Sequence, residues 1–214
     1  MQMMTSRARR IACVAFGAIT WAAPAAAQTR TVAIADSTLR AELLRRVRAD
    51  QAAREEMTAL MRRGATPDSA VMRRVMAVDS VNRTWLADVI ARRGWPSRSM
   101  VGTDGAEAAF LLVQHADADT ALQARALPLL ERAYKAGEAS GQDVALLTDR
   151  VATARKEPQV YGTQASIEGG HVIFKPIADS AHVDERRAAV GLMPLSLYKH
   201  LLDSVYTPAG RPHP

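Results

Sequence analysis

Cysteine is almost missing from this chain: Cys13 is the only one, and it lies near the amino terminus. A disulfide within the chain is therefore excluded, and the fold must be held by its core alone. Lysine is scarce too, with four (Lys135, Lys156, Lys175 and Lys199) against a far larger number of arginines. Aromatic residues make up 5% of the chain, and no dense basic run is interleaved with them, so nucleic-acid binding has no support. The longest apolar stretch, Ile11 to Ala23, falls short of the roughly 20 residues that a membrane-spanning helix needs. There is no HExxH, no second histidine clustered with His115 and no GxSxG elbow, so neither a metal site nor a serine triad is expected.

What the amino terminus does contain is the three-part pattern of a secretory signal peptide. Arg7, Arg9 and Arg10 precede the apolar stretch, and Ala25, Ala26 and Ala27 supply the small residues of a cleavage site. Cleavage before Gln28 is predicted, leaving a soluble exported chain with no stable membrane insertion. Cys13 sits too early in the apolar stretch for lipid anchoring and leaves with the peptide, which also excludes thiolate catalysis. Three arginines and no acids leave with it, so the net charge falls from +6 to 6 − 3 = +3. The expected organisation is a signal peptide over 1–27, one helical domain over 28–206 and a disordered tail over 207–214.

Apolar periodicity predicts a mainly α single-domain bundle of about five main helices, a small β-hairpin and two short C-terminal helices. The first helix, capped by Asp36 or Ser37 and running to about Arg63, carries the stripe Leu39, Leu43, Val47, Asp50, Arg54, Met57, Met61. The second opens at Thr66-Pro67-Asp68, carries Val71, Val75, Val78, Asn82, Trp85 and Val89, and stops at Gly94-Trp95-Pro96. A third is expected over Ala106 to Asp117. A fourth runs from the capping box Thr120 to Gln123 as far as Gly137, and a fifth from Ser140 to about Arg155. Gln159 to Gln164 and His171 to Lys175 read as two strands joined at Gly169-Gly170, followed by short helices near 182–190 and 195–205.

Polar residues interrupt four of these stripes. Asp50 and Arg54 stand one turn apart in the first, and Asp79 and Asn82 in the second. Gln114, His115 and Asp117 follow the run Phe110 to Val113, while Asp149 and Arg150 follow Leu146-Leu147. Burying any of them unpaired costs about 2 kcal/mol or more, so they must pair internally or line a wet pocket. His115 with Asp117 or Asp149 is a candidate general base, needing no further motif. Asp50, Asp79, Asp117 and Asp149 are the acids from which a glycosidase pair would be drawn. His171, His182, His200 and His213 read as surface histidines.

Gly94-Trp95-Pro96, Val101-Gly102, Val113-Gln114-His115-Ala116-Asp117, Leu147-Thr148-Asp149-Arg150 and Tyr161-Gly162-Thr163-Gln164 together resemble a bacterial family of unknown function. Asp50-Gln51-Ala52-Ala53-Arg54 and Arg187 to Leu192 fit its pattern as well, so the resemblance runs from about residue 38 to 200. It supplies no reaction, but it implies that the interrupting polar residues share one site with Gln159, Tyr161 and Gln164. The leading expectation is an exported module that binds a small polar or peptide-like ligand in a central pocket, with no cofactor. Arg54 and Arg150 would meet its anionic groups, Gln114 and Gln164 would give amide contacts, and Tyr161 a stacking face. Two alternatives stand beside it: a hydrolase with His115 as base, and a structural or interaction domain whose polar core is satisfied internally.

Overall fold

The computed structural model describes residues 34–168 and 171–206. The expected signal peptide, the Gly169-Gly170 turn and the C-terminal tail lie outside the described residues. Seven α-helices and one two-stranded antiparallel sheet make up the described chain. They are α1 (Ser37–Arg62), α2 (Ser69–Arg93), α3 (Arg98–Gln114), α4 (Thr120–Lys135), α5 (Gly141–Ala154), β1 (Ala165–Glu168), β2 (His171–Phe174), α6 (Val183–Ala189) and α7 (Leu195–Tyr206), with a 3-10 turn at Ser180–His182 before α6.

Local chemistry starts most of these helices. Asp36 accepts from the amide of Leu39, Asp119 from that of Leu122, and Ser140 Oγ from that of Gln142, each meeting an amide the helix itself cannot satisfy. Asp68, rather than Thr66, caps α2, holding the amides of both Ala70 and Val71 at 2.8 Å. The third helix begins eight residues before its expected start at Ala106, at Arg98. Its first turn is set off by Gly102, at φ 77° and ψ 168°, where a Cβ would lie 3.2 Å from Ile34 Cδ1. Residues 98–102 carry no apolar period, so their helicity was not visible in the pattern.

α3 packs against α1 and α2, and α4 against α5, around a core that includes Leu43, Leu86, Val101, Leu112, Leu122, Leu130 and Leu147. Deleting one of these leucine side chains would cost about 2–5 kcal/mol. A second, smaller cluster of Ala165, Val172 and Leu202, with Phe174 and Tyr198 packed on it, joins the hairpin to α7.

The hairpin is shifted relative to its expected first strand. Ala165 pairs with Phe174 and Glu168 with His171, whereas Gln159 to Gln164 is a loop. The reason is hydrogen bonding: the amides of Val160, Tyr161 and Thr163 are spent on the Asp149 carboxylate and that of Gln164 on the Gln159 side chain. Amides so engaged cannot join a ladder.

Asp143, in the first turn of α5, marks a pH-sensitive point in this scaffold. Burial, and then the nearby Glu107 carboxylate, push its pKa from the ordinary 3.8 up to about 7, with Arg98 pulling the other way. The folded state therefore binds this proton more tightly than the unfolded chain. The resulting stability is complete at low pH and lost as pH climbs through the window from 3.8 to about 7. Full linkage over that window would be about 4 kcal/mol, and the amide end of α5, which favours the anion, lowers the expected fall to roughly 2 kcal/mol. Urea unfolding at acid and at neutral pH checks this: Asp143→Asn should remove most of the difference between the two. An unchanged pH slope in the variant would assign the effect to other groups.

Candidate functional site

Of the polar residues that interrupt the stripes, Asp50, Asn82, Gln114, His115, Asp149 and Arg150 are buried, Arg54 and Asp79 are half-buried and Asp117 is exposed; they fall into three groups. The first lies where α1, α2 and the end of α3 meet. Asp50 is wholly buried, and both its oxygens approach Nδ1 of His115, at 3.0 and 2.9 Å. The same carboxylate accepts from Arg54 Nη1 at 2.6 Å and from Gln51 Nε2 at 2.8 Å. Arg54 also reaches across to α2, where its Nη2 meets both oxygens of Asp79 at 2.7 and 2.8 Å. Burial pushes the Asp79 carboxyl above its ordinary pKa, against the pull of Arg54. Asn82 does not join Asp79; its Oδ1 accepts from Arg46 Nη1 at 3.2 Å, and its buried Nδ2 has no acceptor among the described residues.

An ionised carboxylate only accepts hydrogen bonds, so its contact with Nδ1 puts a proton on that nitrogen. In the neutral ring, Nε2 then carries the lone pair. Among the described residues Nε2 has no hydrogen-bond partner, and it is not one of the polar atoms sealed from solvent without one. His115 as a whole is 4% exposed, so this nitrogen is the open edge of a buried ring whose other side is locked.

The second group joins the end of α3 to α4 and α5. Arg150, 6% exposed, donates to Asp117 Oδ1 at 2.5 Å, so Asp117 pairs with arginine rather than orienting His115. Gln123, absent from the expected site, donates to the carbonyls of Val113 and Gln114 at 3.2 and 3.3 Å and ties α4 to the end of α3. Gln114 is itself 1% exposed.

The third group is a backbone clamp. Asp149 accepts from the amides of Val160, Tyr161 and Thr163 at 2.7, 3.0 and 2.8 Å. Burial pushes its carboxyl upward in pKa, and these amides pull it back. Gln159 donates to the carbonyls of Gln164 and Lys175, and its own carbonyl and amide hold Ala178 and Pro176. Gln164 Nε2 turns onto Thr163 Oγ1. On the far side, Arg187, 1% exposed, donates to the carbonyls of Tyr161 and Met193, each at 2.6 Å, with its guanidinium 5.0 Å from the Tyr198 ring centroid. Desolvation lowers its pKa from the ordinary guanidinium value. Tyr161 is half-buried, and its hydroxyl pKa is raised, first by burial and then by Asp149.

The carboxylate that orients His115 is thus Asp50, from α1, while Asp117 and Asp149 are committed to Arg150 and to backbone amides. Sequence reasoning placed Asp50 beside Arg54 but did not bring His115 to it. It gave no site role to Arg46, to Gln123, read only as part of a helix cap, or to Thr163. The four-residue step Glu42, Arg46, Asp50, Arg54 along one face of α1 was the available signal for Arg46. A cavity of about 240 Å³ is lined by Thr120, Ala121, Ala124, Val151, Ala154 and Arg155, and so lies outside all three groups.

A family model described as a family of unknown function, DUF6624, matches residues 37–209. The chain belongs to that family. Its matched region takes in all seven helices and the hairpin, and with them every residue of the three groups. No curated protein and no solved structure matches the chain.

Proposed function

We propose that the protein is exported and binds a small polar or peptide-like ligand at the α1–α2–α3 junction, with His115 Nε2 as the atom that recognises it. The observation that carries this reading is the unpartnered Nε2 of a ring whose Nδ1 is held by a buried carboxylate. Export rests on Arg7, Arg9, Arg10, the apolar stretch and the alanine run that follows. A wholly structural role accounts well for Asp149, Gln159 and Arg187, whose bonds end on backbone. It accounts less well for a net negative set of Asp50, wholly buried, and Asp79 and Arg54, half-buried, beside one open ring nitrogen.

The same observation supports a second reading, proton abstraction. With Nδ1 protonated and anchored, Nε2 can take a proton from water or a substrate hydroxyl, and Asp50 stabilises the imidazolium that forms. Asp50 then has the role that Asp117 or Asp149 was expected to fill.

Thermal unfolding of wild type and His115→Ala against a panel of dipeptides and small polar metabolites separates these possibilities. A compound that raises the wild-type melting temperature and leaves the variant unmoved is the expected result. A compound at 100 times its dissociation constant adds about 2.7 kcal/mol, a shift of several degrees. Turnover of that compound by wild type alone would move the assignment to a hydrolase. Loss of stability in His115→Ala, with no compound shifting either protein, would make the ring structural.

A further inference from the structure

One turn from this network, Arg46 of α1 and Ser80, Val81, Thr84, Trp85 and Asp88 of α2 line an open cleft of about 600 Å³. Arg46 is fixed on three sides. Its guanidinium carbon lies 4.2 Å from the Trp85 ring centroid, its Nε donates to Glu42 at 2.7 Å, and its Nη1 donates to Asn82. Among the described residues Nη2 has no acceptor, and it is not sealed from solvent. Little side-chain entropy is left for this arginine to lose on binding. Glu42 is shared between Arg45 and Arg46, and these arginines hold its carboxyl down at about 2, Arg45 foremost. One carboxylate against two guanidiniums leaves one positive charge in excess. The acid of the cleft, Asp88, is engaged by Arg92. Beside this donor stand the half-buried Trp85 face and Val81, 62% exposed.

We infer that this cleft binds a small organic carboxylate with an apolar arm, the carboxylate on Arg46 Nη2 and the arm against Trp85 and Val81. A single unspent guanidinium nitrogen and one excess charge suit a monoanion rather than a polyphosphate. The cleft lies in the size range of small-molecule sites. It borders the His115 network at Asn82, which holds Arg46, but among the described residues no hydrogen bond joins Arg46 or Asn82 to Asp50, Arg54, Asp79 or His115, and it stands whether or not His115 binds a ligand.

Titrating the full chain with hexanoate and, in parallel, with its neutral isostere hexanamide tests this by NMR. Hexanoate should shift the Trp85 indole N–H and the Arg46 side-chain N–H, and hexanamide should do so at least about tenfold more weakly, a difference near 1.4 kcal/mol. Arg46→Gln should weaken hexanoate by a similar factor. Val81→Asp, at an exposed rim position that leaves the fold intact, should do the same by repulsion and decides the matter if Arg46→Gln does not fold. His115→Ala should bind hexanoate as wild type does. Equal responses to the two compounds, an unmoved Trp85 at saturating hexanoate, wild-type binding by Val81→Asp, or loss of binding in His115→Ala would each overturn the assignment.

Discussion

Asp149→Ala is expected to cost about 3–5 kcal/mol of folding stability, one of the two largest effects of any single polar substitution in the chain. Three amides, of Val160, Tyr161 and Thr163, converge on this one wholly buried carboxylate. Alanine would leave all three without an acceptor in a place that excludes most water. Each buried orphan costs about 1–3 kcal/mol, and relief from desolvating the charge returns only part of the sum. With total stability typically about 5–15 kcal/mol, a melting temperature lower by roughly 10 °C or more follows. Asp149→Asn should recover part of the loss, since its one oxygen can accept while its amide group faces donors. Urea unfolding of the three proteins measures this. A cost below about 1 kcal/mol for the alanine would mean that Arg187, gripping the same loop through the Tyr161 carbonyl, holds it alone.

Arg54→Ala should be about as damaging at neutral pH, again about 3–5 kcal/mol, with a deficit that depends on pH through Asp79. Among the described residues Arg54 alone bridges Asp50 and Asp79, and without it two poorly solvated carboxylates are left near each other, with His115 against Asp50. Asp79 is already pushed upward by burial and held back chiefly by Arg54. In the variant its folded-state pKa rises further above the unfolded value. A raised carboxyl pKa means stability that is present at low pH and lost as pH climbs through the folded value. The deficit should therefore be smallest in mild acid and grow towards pH 8. Arg54→Lys keeps the charge but cannot offer two separate nitrogens to two acids, and an intermediate loss is expected. Denaturant titrations across the pH range check all three outcomes. A deficit that does not change with pH would show that Arg54 acts through packing.

These two residues also mark how far one-dimensional reasoning reaches. Asp50 and Arg54 form a local pair, four residues apart on one helix, and a stripe broken at both positions announces it. The partner that gives the pair its chemical interest, His115, is 65 residues away and arrives only because α3 packs on α1. Nothing in the spacing of His115, Asp117 and Asp149 distinguished them from Asp50 as its partner. The nearer acids were the natural expectation, and each turned out to have another counterpart. The 159–164 loop is a similar case. Its sequence reads as a short strand, and the reading fails because a carboxylate on α5 captures the amides a strand would use.

The helices themselves were legible because their causes are local. Caps at Asp36 and Ser140, the stop at Gly94 and the three- and four-residue steps of leucine and valine act within a turn or two of chain. The same steps showed that polar residues would enter the core, and the cost of leaving them unpaired showed that partners had to exist. Which partners, which carboxylate would hold the imidazole, and which arginine would keep a free nitrogen depended on how α1, α2 and α3 approach one another. That approach depends on side-chain packing between segments far apart in sequence, and it carries no period that one strand of text can display.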